Sequence, residues 1–141
     1  MSSSAIIGST GLVGSALAAA IPDAARLRHA DLDVTDADSV RSVIRRLRPR
    51  LIFNTAVIGV DDCERRPDLA HAVNVDGPAL LAEAAAECGA TLVHFSSNYV
   101  FAGNRDREPY SVEDEARPIN VYGRTKLEGE IAAVSSVLGH S

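Results

Sequence analysis

The 141 residues suffice for one domain with a single core, and 46% apolar with 23% charged residues is the balance of a soluble globular chain. The net charge of −5 argues against a nucleic-acid surface. No apolar run is long enough to cross a bilayer, and the opening Met-Ser-Ser-Ser lacks the basic and apolar regions of a signal peptide, so the cytoplasm is the expected compartment.

Residues 4–8 read as a strand and residues 11–20 as a helix, which Pro22 and Asp23 stop. Between them Gly8, Gly11 and Gly14 form a G-x-x-G-x-x-G turn. Such a turn brings backbone close to a pyrophosphate and aims free helix N–H groups at its charge. Gly8 serves the tight turn, Gly11 the close approach and Gly14 the packing of helix on strand. Taken alone, the spacing suits a ligand-free strand-to-helix turn equally well.

Residues 25–28 follow as a short strand, which residues 31–34 extend. Thr35 or Asp36 caps a helix to about Arg48, with Val40, Val43, Ile44 and Leu47 on one face. Its arginines read as a solvated face, and Pro49 ends it. Residues 51–54 are a buried strand by their continuous apolar run, and residues 55–66 a loop. Pro67 opens a long helical stretch to about Cys88 that Gly77-Pro78 must kink or divide. Gly89 is its C-cap. Residues 91–96 are the last strand, 99–118 a surface loop and 120–138 the last helix. Cys63 and Cys88, one in a loop and one near a helix end, are too few and too far apart for a disulfide framework or metal site. No metal ligand cluster is expected.

Strands alternating with helices predict an α/β fold: one Rossmann-type domain, a parallel sheet with helices on both faces. Ligands bind such sheets beyond the carboxyl ends of the strands. Three stations follow: the glycine turn, Asn54-Thr55-Ala56 and Ser96-Ser97. All three are expected to open onto one crevice.

Tyr122 and Lys126 stand at i and i+4, one turn apart on one helix face. A phenol is a poor proton donor at neutral pH, and a neighbouring ammonium brings it toward the useful range. Pairs at this spacing also occur by chance on helix surfaces. Of the 14 basic residues, however, Lys126 is the only lysine. A hydroxyl at the preceding strand end, Ser97 or its neighbour Ser96, completes a set able to hold a substrate carbonyl beside the phenol.

Together these stretches resemble the extended short-chain dehydrogenase/reductases, and within them the dTDP-4-dehydrorhamnose reductase family. The matching segments are Gly8–Gly14, Leu32-Asp-Val-Thr-Asp36, Asn54-Thr-Ala56, Val60-Asp-Asp-Cys-Glu64, Ala72-Val-Asn-Val-Asp-Gly-Pro78, Ser96-Ser-Asn-Tyr-Val-Phe101, Glu108-Pro-Tyr110 and Pro118-Ile-Asn-Val-Tyr-Gly-Arg-Thr-Lys126. They fall in family order from about Ala5 to Glu130. The resemblance implies NADPH or NADH as cofactor. It places the pyrophosphate on Thr10, Gly11, Leu12 and Val13 and the adenine near Asp33 and Val34. Asn54, Thr55 and Ala56 would line the ribose and nicotinamide side, Ser96 would also be a cofactor-binding residue, and Asn74 would support the active site. Ser97 matches the catalytic threonine, Tyr122 the general acid and Lys126 the cofactor-binding lysine. The implied reaction passes hydride to C4 of a nucleotide-linked 4-keto sugar, with Asn98 and Tyr99 on the substrate side.

The chain departs from that pattern in four places. It lacks the further strand and substrate lobe that family members carry, which predicts impaired turnover and an exposed sheet edge open to self-association. A non-catalytic cofactor-binding or regulatory subunit, or an inactive product, is the alternative expectation. No acidic residue for a ribose 2′-OH is evident near residues 25–28. Arg26, Arg28 and His29 stand there instead, either as 2′-phosphate partners favouring NADP or as plain surface charges. Asn98 replaces the family's aspartate, and Ser97 its threonine.

Overall fold

The computed structural model describes residues 2–138. Four parallel strands form one sheet in the order β2-β1-β3-β4: β1 is Ser4–Ile7, β2 Ala25–Leu27, β3 Leu51–Asn54 and β4 Thr91–His94. β1 is buried along its whole length, and successive side chains serve opposite faces. Ala5 and Ile7 pack with Ile52 and Leu27 beneath Val40, Val43 and Ile44 of α2 (Ala37–Leu47) and Leu81 of α5 (Gly77–Cys88). Ile6 turns the other way, with Ala18 of α1 (Leu12–Ala20) and Ala24. Both faces of the sheet are therefore covered, and the Rossmann-type doubly wound architecture is as expected.

The α2 cap is Asp36, whose carboxylate accepts from Asp38 N and Ser39 N. Gly89 ends α5 in the left-handed region, φ 71°. Three expectations need correcting. Residues 31–34 do not extend β2. Asp31 accepts from Arg28 N at 2.9 Å and Asp33 from Thr35 N at 2.9 Å, so aspartate side chains capture backbone donors that a strand would have paired. Residues 55–66 are not all loop: Val60–Arg65 is a helix, α3, with Asp61 and Asp62 favourably placed in its first turn and Cys63 buried beneath it. In β3 the burial is partial, since Leu51 remains 37% exposed.

The long helical stretch divides as the Gly77-Pro78 pair requires, and the backbone stays right-handed helical at each junction. Pro67–His71 is α4, Ala72–Asp76 is a π-type turn and Gly77 begins α5. Pro78 has no N–H, so the Asn74 carbonyl four residues earlier loses its helical donor. The turn widens at that point, and α6 (Val121–Leu138) packs against both the widened turn and α5. β4 is an edge strand. Beside it lies a groove of about 520 Å³ lined by Ala82, Ala85, Leu92, Ala133, Val134 and Val137. Among the described residues no helix is long and apolar enough to cross a membrane.

Candidate active site

The glycine turn begins where β1 ends. Gly8 adopts φ +75°, and a Cβ there would stand 2.9 Å from Ala56 N and 3.0 Å from Thr55 Oγ1. Gly14 lies so close to Gly8 O that any side chain would overlap it. That approach seats α1 directly on the strand end. Gly11 is the N-cap of α1 and offers no side-chain acceptor to the first-turn N–H groups, so these donors are available to an anion. Leu12 and Val13 point outward, Leu12 at 91% exposure. Their role in the expected cradle can only be through backbone. At Gly8 and Gly14 the turn thus admits no side chain, and the first-turn N–H groups of α1 are left for an anion.

A cleft of about 560 Å³ opens from this turn. Gly8, Thr10 and Gly11 form its floor, and Leu32, Asp33, Val34 and Thr35 one wall. Thr55, Ala56, Val57 and Ile58 form the side beyond β3, and Arg66, Leu69 and Val73 the wall from α4 and the widened turn. Two of the three expected stations therefore share one crevice. Thr55 Oγ1 donates to Ile7 O at 2.7 Å, tying the second station to the first. Asp33 keeps a carboxyl below its ordinary range because the Thr35 hydroxyl and N–H both donate to it. A shallower recess beside the turn is lined by Ser9, Thr10, Ser15, Arg26, Arg28 and Asp31. Arg28 is held there by Asp31 at 2.9 Å, while Arg26 donates to Ala18 O at 3.2 Å.

Asn54 was expected to line the ribose side, and the structure gives its side chain other work. It is 1% exposed. Its Oδ1 accepts from Ala56 N at 3.2 Å, which leaves Nδ2 to donate to His94 Nδ1 at 3.2 Å. That ring nitrogen is therefore bare, and the neutral imidazole carries its proton on Nε2. Nε2 is buried and has no partner among the described residues. Burial, with the Lys126 charge added, lowers the His94 pKa to about 4. Between pH 6.5 and 4 the unfolded chain takes up this proton and the folded chain refuses it, so stability falls as pH drops through that window. The loss is on the order of 2 kcal/mol after allowance for partial exposure. Thermal melts from pH 7 to 4 should show it, and His94→Gln should flatten the slope. An unchanged slope in the variant would place the proton uptake elsewhere.

The third station lies one strand further along, outside the cleft lining. Ser96 Oγ donates to Glu130 of α6. Ser97 accepts from Tyr99 N at 3.2 Å and so caps the short turn Asn98–Val100. Tyr122 is half-buried, edge-on to the Tyr99 ring with centroids 5.3 Å apart. Asn98 is exposed and Tyr99 is 45% exposed. Lys126 is 3% exposed, and its Nζ donates to Phe95 O at 2.5 Å. Burial lowers its pKa, with Glu130 opposing that shift. A single lysine buried at a strand end, with two of its three donors uncommitted, is not a surface charge.

Asn74 links the stations. Its Oδ1 accepts from Ile58 N at 3.3 Å at the cleft side, and its Nδ2 donates to Thr125 Oγ1 at 3.0 Å on α6. Thr125 donates in turn to Val121 O at 2.9 Å. Thr125 was not singled out from the sequence, nor was Glu64, whose carboxylate accepts from Val121 N at 2.8 Å and caps the helix that carries Tyr122. Glu64 stands 57 residues from its partner, and only the fold brings the two together. Cys63, expected in a loop, lies buried in α3 and accepts from Asn74 Nδ2 at 3.6 Å; burial raises its pKa and keeps it a thiol.

A four-stranded parallel sheet covered on both faces, a glycine turn at the first strand end and a tyrosine–lysine helix beside the last make this a Rossmann-type fold. Residues 4–140 match the family model described as the RmlD substrate binding domain, and the chain belongs to that family. It is 43% identical over 140 residues to a dTDP-4-dehydrorhamnose reductase of Mycolicibacterium smegmatis, covering 93% of this chain and 41% of that protein. It is 40% identical over 116 residues to methionine adenosyltransferase 2 subunit beta of Bos taurus, covering 82% of this chain and 34% of that one. Among solved structures, a dTDP-4-dehydrorhamnose reductase from Clostridium acetobutylicum superposes with a TM-score of 0.89 at 34% identity, over 94% of this chain and 49% of that one. One from Bacillus anthracis, in complex with NADP, gives 0.87 at 33%, over 96% and 50%. The chain spans less than half the length of the curated reductases it matches.

Proposed function

We propose that this chain holds NADP(H) in the cleft between the glycine turn and α4, and that it presents Ser97, Tyr122 and Lys126 for reduction of a nucleotide-linked 4-keto sugar. The observation that carries the reading is Lys126: buried, anchored on Phe95 O and one turn from Tyr122. When bound, the reduced nicotinamide supplies the hydride. The chain's own residues do the rest. First-turn N–H groups of α1 and Thr10 meet the diphosphate. Asp33 and Val34 take the adenine, with Thr55 and Ala56 bordering the ribose. Ser97 Oγ hydrogen-bonds the sugar carbonyl, and Tyr122 donates the proton to its oxygen. Lys126 holds a ribose hydroxyl and stabilises the negative charge left on the phenol oxygen. Arg26 and Arg28, in the recess beside the turn, suit a 2′-phosphate.

The cytoplasmic setting remains part of this proposal, and the exposed edge of β4 is the surface through which the expected self-association would run. A second reading has its own support. A relative that is 40% identical is named as a subunit of another enzyme, so this chain is alternatively a cofactor-binding regulatory partner. The two separate in one assay: NADPH oxidation with a dTDP-4-keto-6-deoxy sugar, comparing wild type with Tyr122→Phe. Because these residues match 41–47% of the reductases, we expect saturable NADPH binding and slow turnover or none from this chain alone. Any turnover seen should disappear in Tyr122→Phe. Turnover that survives the substitution would remove Tyr122 from the mechanism. Brisk wild-type turnover would exclude the regulatory reading.

A further inference from the structure

We propose that Arg66 is a further cofactor-binding residue, its guanidinium lying over the adenine at the mouth of the cleft; the inference rests on the dinucleotide reading above. Arg66 joins α3 to α4. With Leu69 and Val73 it follows the i, i+3, i+7 spacing of one helix face, and all three line the cleft. Leu32, Val34, Val57 and Ile58 line the same cleft. Together these apolar side chains suit a flat base, and the exposed Arg66 stands among them as a positive charge.

The charges around the cleft single it out. Besides Arg66, the charged or titratable lining residues are Asp33 and His29. Asp33 is turned into its own loop by Thr35. Arg66 is exposed, and no hydrogen bond or ion pair among the described residues holds its side chain. Several other arginines share that lack of a carboxylate partner, but among the described residues Arg66 is the one arginine in the lining of this cleft. An arginine with a planar, weakly hydrated head and no internal partner, among apolar lining side chains, suits stacking on a purine. The contact would also cover the base from water and add positive charge beside an anionic ligand.

The test is titration of NADPH and of 2′,5′-ADP, the adenosine-side fragment, against wild type, Arg66→Ala and Arg66→Lys. Arg66→Ala is expected to weaken both ligands by the same factor, about fivefold to tenfold. Arg66→Lys, which keeps the charge without the plane, should recover less than half of that loss on a logarithmic scale. Melting temperatures should not move, because the side chain is exposed and no hydrogen bond or ion pair among the described residues holds it. Unchanged NADPH affinity in Arg66→Ala overturns the assignment while leaving the cofactor reading intact. Weakened NADPH with unchanged 2′,5′-ADP also overturns it, since Arg66 would then act away from the base. Failure of the wild type to bind either ligand overturns the cofactor reading and this inference with it.

Discussion

Gly129→Ala is expected to destabilise the chain by about 3 kcal/mol or more, a large share of the roughly 5–15 kcal/mol that holds a domain folded. Gly129 lies on α6 where that helix crosses the widened turn, and a Cβ there would fall inside the Asn74 carbonyl oxygen. Neither side can yield cheaply. Asn74 is fully buried, and its side chain is already committed to Ile58 and Thr125. The carbonyl itself receives no helical N–H from Pro78, and it lies in the widened turn. The helix must therefore move away, taking Tyr122 and Lys126 with it. Urea denaturation measures the effect, with Gly59→Ala as the control, since a Cβ at Gly59 meets nothing within 4 Å. A Gly129→Ala protein as stable as wild type would show that α6 does not seat on the Asn74 backbone.

Lys126→Met should weaken NADPH binding at least tenfold, the scale of a lost charge-assisted hydrogen bond. It should do so without loss of stability. Lys126 is 3% exposed and its ammonium is held by one neutral carbonyl, with the Glu130 carboxylate the negative charge that favours it. Replacing a buried charge by a side chain of similar volume is often neutral or stabilising. Stability unchanged or raised while affinity falls is the signature of a group kept for binding. Lower stability with unchanged affinity would make Lys126 a structural residue and remove the support for the active-site reading.

Much of this arrangement is legible from local pattern. The β1 run, the glycine spacing, the Asp36 cap and the Gly89 stop each depend on residues a few positions apart, and the structure has them where the sequence places them. The tyrosine–lysine pair is likewise a local signal. Local pattern fails where a side chain competes with the backbone or a partner is distant in sequence. Asp31 and Asp33 turn an apparent strand extension into a bend. Asn54 reads as a ligand contact from its place at a strand end, yet a histidine 40 residues away claims its amide. Glu64 and Thr125 carry no local signal of their roles, because each acts on an element that only folding brings near. Pro78 could be read as a helix breaker, but not as the cause of a widened turn, since that outcome needs α6 packed against it.

The central claim is that the cleft beside Gly8 and Gly11 holds a dinucleotide. The direct measurement is a titration of NADPH, and separately NADH, followed by nicotinamide fluorescence, which the absence of tryptophan leaves free of overlapping protein emission. The expected result is saturable enhancement at one cofactor per chain, with NADPH the tighter ligand. No saturable response to either cofactor, from protein that melts cooperatively, would contradict it.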